Sequence, residues 1–86
     1  MEFEFDPQKS KKNKTKHGVD FVAAQRLWDD SDGIGFPAPS EDEQRYSLLG
    51  MMGGKLWVAF YTLREGRIRL ISVLRARKGE RKLYES

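Results

Sequence analysis

Three runs between Gln44 and Arg75, QRYSLLGMM, KLWVAFYTLR and RIRLISVLR, are rich in aromatic and branched residues and are parted only by GG and EG. That spacing constrains the fold more than any other feature of the chain. Such residues suit a pleated, half-buried surface, and two-residue links with glycine reverse the chain as tight antiparallel hairpins. The pattern predicts a three-stranded meander. With Gly53-Gly54 and Glu65-Gly66 as the links, the register follows by counting, because paired positions sum to a constant. Thr62 then faces Arg69, Tyr61 faces Leu70, Phe60 faces Ile71 and Trp57 faces Leu74. Across the first hairpin Arg45 faces Thr62, Tyr46 faces Tyr61 and Leu48 faces Ala59.

Side chains alternate across a strand, so the same counting sorts them into two faces. Leu48, Trp57, Ala59, Tyr61, Leu63, Ile68, Leu70 and Leu74 make an apolar face for helices to cover. The other face has Leu49, Val58, Phe60, Ile71 and Val73 at its middle and gathers Arg45, Thr62, Arg64, Arg67 and Arg69 toward the Glu65-Gly66 end. Like charges facing each other across strands cost roughly 0.2–1 kcal/mol. Arg45 and Arg69 on either side of Thr62 therefore call for a counter-charge: a bound anion, or acids of the chain such as Glu41, Asp42 and Glu43.

The N-terminal half reads as helices and loop. Phe3 lies in a short strand stub; Asp6 then caps a helix that opens on Pro7, the favoured order at a helix start. Gly18 ends it, and Asp20 caps a second helix with an apolar stripe of Phe21, Ala24, Leu27 and Trp28. DDSDGIGFPAPSEDE reads as loop with at most a short strand at IGF. ARKGERKLYES predicts a short final helix. The expected class is α+β: an antiparallel sheet made of the meander plus short N-terminal strands, two N-terminal helices and a short C-terminal helix, in one domain over residues 1–86.

Charge is segregated. KSKKNKTK carries five lysines, residues 64 to 82 carry eight bases against Glu65 and Glu80, and residues 20 to 43 carry seven acids against Arg26 alone. Two basic blocks around an acidic middle suit a polyanion or an acidic protein segment. The chain has no cysteine and one histidine, too few for a thiolate or histidine metal cage, and neither metal nor cofactor is expected. Asp29, Asp30 and Asp32 lack the later glutamate of a calcium loop, and GIG and GMMGG lack the P-loop lysine. Ser72 has no triad partner except the lone His17, which reads either as a helix-end cap or as a proton carrier. No apolar run approaches the ~20 residues that cross a bilayer. With acids where a secretory leader would carry bases, the expected compartment is the cytoplasm.

FEFDPQK, KHGVDFVAA, DEQRY, YTLREGRIRLIS and ERKLYE, in that order, together resemble the BrnT family of toxins from bacterial type II toxin–antitoxin systems. The resemblance runs over nearly the whole chain. It implies a RelE-like fold, an endoribonuclease that inhibits translation, and a cognate BrnA-like antitoxin with a ribbon–helix–helix domain, through which alone the pair would meet operator DNA. Carried over by motif, the family's functional positions fall on His17, Arg45, Thr62, Arg69, Arg75 and Tyr84. Arg45 and Arg69 are also the pair that register counting selects. The chain departs from the family pattern after Ser72, where ISVLRAR stands in place of ISARRAT.

RNA carries its own nucleophile in the 2'-hydroxyl, so a protein that holds the strand in line and neutralises the developing phosphorane supplies much of the catalysis. Arginine suits this role, since its planar guanidinium binds phosphate bidentately. The expectation is metal-independent cleavage of single-stranded RNA with His17, Arg45, Arg69 and Arg75 catalytic. Lys16, Thr62, Arg64, Arg67, Arg77, Lys78, Arg81 and Tyr84 are expected to bind RNA. The alternative is a non-catalytic basic module for nucleic acid or an acidic protein segment.

Overall fold

Both hairpin turns form where the spacing puts them. In the computed structural model, which describes residues 1–86, Gly53 and Gly54 have φ of 60° and 74°, and Glu65 and Gly66 have φ of 50° and 78°. These are the left-handed pairs of type I′ turns, whose twist matches that of the flanking strands. They join β3 (Arg45–Met52), β4 (Lys55–Arg64) and β5 (Arg67–Arg75). Two further strands extend the sheet: β1 (Phe3–Glu4) pairs parallel with β5 beside Ile68 and Arg69, and β2 (Ile34–Ala38) pairs antiparallel with β3. The result is an α+β protein with a five-stranded, mostly antiparallel sheet in the order β1-β5-β4-β3-β2 and three helices. In β2, which reaches beyond IGF, Pro37 sits on an edge strand, where a missing N–H is tolerated.

Near the turns the register is the counted one: Tyr46 faces Tyr61, Leu48 faces Ala59, Tyr61 faces Leu70 and Thr62 faces Arg69. Beyond Tyr61 it is not. Phe60 pairs with Ser72 rather than Ile71, and Trp57 pairs with Arg75 rather than Leu74, because β5 carries a bulge that leaves Ile71 without an opposite residue. One extra residue reverses the parity of everything after it. Val73, expected on the open face, is fully buried under the helices beside Ala59; Leu74, expected in the core, pairs with Val58 on the opposite face. Leu63 is a second correction, since it extends past the helices and is 53% exposed.

The first helix, α1 (Pro7–His17), runs from an Asp6 carboxylate that accepts the Gln8 amide at 2.8 Å to a left-handed Gly18. Apart from Pro7, its sequence PQKSKKNKTKH has no apolar side chain. It is held instead by two buried polar residues. Ser10 Oγ accepts the Phe21 amide at 2.9 Å. The Asn13 side chain donates to the Val19 and Val73 carbonyls at 2.7 and 2.8 Å and accepts the Val73 amide at 3.1 Å. Asn13 therefore pairs with both backbone groups of Val73, as a neighbouring strand would, just past the end of β1.

The second helix is a 3₁₀ helix (Ala23–Asp29). Ala24 and Leu27, both fully buried, are spaced by three, and in a 3₁₀ helix residues i and i+3 eclipse, so they lie on one line; Phe21, also fully buried, sits in the turn just before the helix. Trp28 falls off that line and packs edge-on between Phe3 and Tyr61, with ring centroids 5.1 and 5.2 Å away. Gly50 of β3 lets the 3₁₀ helix approach: a Cβ there would lie 3.4 Å from the Leu27 carbonyl oxygen. These elements enclose the main core of Val19, Phe21, Ala24, Leu27, Trp57, Ala59, Ile68, Leu70 and Val73.

On the other face, Leu49, Leu56 and Val58 form a smaller core covered by Ala76 and by Tyr84 of the last helix, α2 (Lys78–Glu85). Glu80 accepts the Arg77 amide at 2.7 Å and so caps the start of α2.

The clamp on Val73 yields a stability prediction. Asn13→Ala leaves the Val73 amide and two carbonyls unpaired in a buried place, and the expected loss is about 3 kcal/mol. Urea unfolding of Asn13→Ala against a Lys11→Ala control measures it; equal midpoints in the two variants would show that the clamp holds nothing.

Candidate nucleic-acid interface

The face of the sheet away from the 3₁₀ helix can be laid out row by row from the pairings. At one end Met51 and Leu56 lie beneath the α2 segment. Next come Ile34, Leu49, Val58 and Leu74, then Phe36, Ser47, Phe60 and Ser72, and then Ala38, Arg45, Thr62, Arg69 and Glu4, where Arg45 and Thr62 are set side by side by carrying the β3–β4 register one step past its last pair, Tyr46 and Tyr61. Arg64 and Arg67 close the far end. The expected cross-strand row is thus present, and it continues onto β1, where Glu4 lies opposite Arg69.

The arginines at this end are compensated within the chain. Arg69 Nη1 lies 2.9 Å from Glu4 Oε2, Arg64 lies 3.3 Å from Glu43 and Arg67 lies 3.5 Å from Glu2. Glu43 is among the acids that the sequence suggested as partners; Glu2 and Glu4 escaped notice because β1 lies far away in sequence. The pairs differ in setting. Arg64–Glu43 and Arg67–Glu2 are largely exposed, whereas Arg69 and Glu4 are each about 30% exposed, at 30% and 31%. Exposed pairs contribute about 0–1 kcal/mol and exchange easily for another anion.

Arg45 alone has no ion-pair partner, and its Nε is sealed from solvent without a hydrogen bond. Its charge is still felt nearby: the Asp42 carboxyl is held below its usual range, chiefly by the Glu43 amide, then by the Ser40 hydroxyl, with a last contribution from Arg45. Thr62, expected to touch RNA, is buried, and its hydroxyl donates to the Gln44 carbonyl at 2.8 Å. Its role in the row is to tie the start of β3 to β4.

Two of the expected residues lie elsewhere. Arg75, by the parity change at the bulge, is turned to the helix side, its guanidinium 5.5 Å from the Trp57 ring centre in a cation–π contact. It therefore does not join Arg45 and Arg69. Tyr84 donates its hydroxyl to Asp30 Oδ2 at 2.7 Å; the same oxygen accepts the Met51 amide at 2.8 Å, and Oδ1 accepts the Asp32 amide at 2.9 Å. The Asp30 carboxyl is held low mainly by the Met51 amide and then by Tyr84, while the Tyr84 phenol is pushed up to about 12 chiefly by this hydrogen bond. Through this bond the phenol latches α2 to the end of the 3₁₀ helix.

His17 ends α1 and lines a surface hollow of about 260 Å³ with Lys9, Lys12, Asn13, Lys16, Ile71 and Ser72. Ser72 sits one row from Arg69 on the same face. None of the five α1 lysines is in an ion pair, so the hollow is an uncompensated cationic wall beside the arginine end. No hydrogen bond or ion pair joins His17 to Arg45 or Arg69. At the start of α2 and along it, Arg77, Lys78 and Arg81 are exposed, with Arg81 3.8 Å from Glu85. Phe36 and Phe60, half-buried in the row between α2 and the arginines, were not singled out by the sequence pattern, which marks them only as apolar. Nowhere do three His, Asp or Glu side chains converge as a metal ion requires, and no helix is long and apolar enough to cross a membrane.

Fold and surface together define a small α+β protein with one sheet face packed on helices and the other rimmed by cations at both ends and along one side. The family model described as the ribonuclease toxin BrnT of type II toxin–antitoxin systems matches residues 5–80, and the chain belongs to that family. A partner antitoxin follows from membership in such a system. Among individual curated proteins, no match to the sequence is found.

The Tyr84 latch has a pH signature. A phenol raised in the folded state stabilises fully below its ordinary value of 10.0, and that contribution is lost as the pH climbs toward about 12. Tyr84→Phe is expected to lower the urea midpoint at neutral pH, with the gap to wild type closing between pH 10 and 12. A gap that stays constant across that window would exclude the phenol as its source.

Proposed function

We propose that this BrnT family member is a metal-independent endoribonuclease with a RelE-like fold, acting in the cytoplasm to inhibit translation and neutralised by a BrnA-like ribbon–helix–helix antitoxin. The observation that carries the reading is the row Arg45–Thr62–Arg69, two guanidinium groups flanking a rigid, buried threonine on an otherwise open sheet face.

In this reading a phosphate of single-stranded RNA enters between Arg45 and Arg69. Arg45 has no carboxylate partner to give up, and Arg64 and Arg67 exchange weak surface carboxylate pairs for phosphate as the strand arrives. The phosphate's neighbours run along the lysine wall of α1, with Lys16 and His17, or toward Arg77, Lys78 and Arg81 of α2. Phe36 and Phe60 supply ring faces between them on which bases stack. Fixed guanidinium donors that meet the extra charge of the phosphorane act in the transition state more than in the ground state, which is the condition for raising the rate.

The test uses purified protein and end-labelled single-stranded RNA in EDTA. Cleavage is expected to leave 2',3'-cyclic phosphate ends, and Arg45→Ala and Arg69→Ala are each expected to lower the rate about 10²–10³-fold. Binding without cleavage would favour the non-catalytic basic module instead. Unchanged cleavage in both arginine variants would move the active site away from the row.

A further inference from the structure

Proton transfer at the arginine row needs an acceptor that the row itself can reach, and one carboxylate lies within it. Glu4 stands opposite Arg69 in the β1–β5 pairing, and its Oε2 is 2.9 Å from Arg69 Nη1. The geometry points to Glu4 as the general base of the cleavage reaction, a role distinct from the phosphate binding of Arg45 and Arg69 and resting on the reading of their row as the phosphate site.

Three features separate Glu4 from the other acids around it. It is tethered by sheet pairing, whereas Glu43 belongs to the segment before β3; Glu2, whose carbonyl accepts the Ile68 amide at 2.9 Å, is anchored too, but its side chain is 76% exposed. Its pair with Arg69 is the shortest of the four ion pairs and has both side chains about two-thirds buried, so it persists where the exposed pairs exchange. Finally, Arg69 occupies only Oε2, which leaves Oε1 to accept a proton from a ribose lodged beside a phosphate on Arg69. A general base must lie within hydrogen-bonding reach of the proton it takes. His17, the residue that composition would nominate, sits in the lysine hollow with no contact to either arginine.

In the step itself, Glu4 Oε1 takes the proton of the 2'-hydroxyl as the 2'-oxygen bonds to phosphorus. The bond from phosphorus to the 5'-oxygen breaks with its electron pair on that oxygen, which is protonated by a solvent water. The products are a 2',3'-cyclic phosphate and a 5'-hydroxyl, and the proton on Glu4 passes to the hydroxide so formed. The charged groups around Glu4 are Arg69 on β5 and, two residues back along both strands, Arg67 with Glu2. They set the local charge during the transfer.

Glu4→Gln is the decisive variant, because glutamine keeps the hydrogen bond to Arg69 but cannot take the proton. Single-turnover cleavage is expected to fall about 10²–10⁴-fold, while affinity for a non-cleavable 2'-O-methyl RNA is kept. The wild-type decline in rate at acid pH is expected to be absent from the residual activity. Glu4→Asp, which restores a carboxylate, recovers part of the lost rate and so separates proton transfer from loss of fold. The assignment is overturned if Glu4→Gln cleaves at the wild-type rate with the same acid decline, or if it binds RNA more tightly at an unchanged rate, which would make Glu4 a competitor for phosphate. If Arg45→Ala and Arg69→Ala also leave cleavage untouched, the row is not the site at all; if they abolish it while Glu4→Gln does not, only the base has been misassigned.

Discussion

The side-chain amide of Asn13 occupies the place of a strand. Past the end of β1 the backbone of β5 has a free edge, and Asn13 meets both groups of Val73 there while also holding the Val19 carbonyl. Without that contact α1 would rest mainly on the Ser10–Phe21 hydrogen bond, since it offers no apolar stripe to the sheet. The clamp lies two residues beyond the bulged Ile71, where the parity of β5 has just changed. Docking α1 there sets its lysines beside Ile71 and Ser72 and encloses Val73 in the core. A polar helix with five lysines can thus be a fixed wall of the open face rather than a loose cationic arm.

Charge on that face is divided by function. At the arginine end every guanidinium except that of Arg45 already has a carboxylate, so positive potential there is modest. The largest block of uncompensated charge lies on α1, and in the proposed reading attraction of a polyanion from a distance falls to those lysines. In that reading, attraction at long range and neutralisation at close range fall to different elements. The latch of Tyr84 on Asp30 closes the opposite end by fastening α2 over Leu49, Leu56 and Val58.

Much of the local structure was legible. The three strands, both type I′ turns, the Asp6 and Gly18 caps of α1 and the row of Arg45, Thr62 and Arg69 all follow from residues close in sequence whose preferences agree. The 3₁₀ helix was half legible: Phe21, Ala24 and Leu27 announce a buried stripe, yet the helix that forms is the tighter one over Ala23–Asp29, with Phe21 in the turn before it. The positions of Val73, Leu74 and Arg75 were misread for one cause. A bulge adds a residue without altering the alternation of apolar and polar side chains enough to reveal itself, and it reverses all counting beyond it.

Chain sequence alone determined the meander, its turns and the two basic blocks, because hairpin register and charge density are set by neighbours along the chain. Tertiary structure decided which charges meet. Glu4 reaches Arg69 across 65 positions, Tyr84 reaches Asp30 across 54, and Asn13 reaches Val73 across 60. Those pairings depend on a parallel strand, a docked helix and a bulge that no local propensity specifies, and they turn a row of arginines into a candidate site with an acid in it.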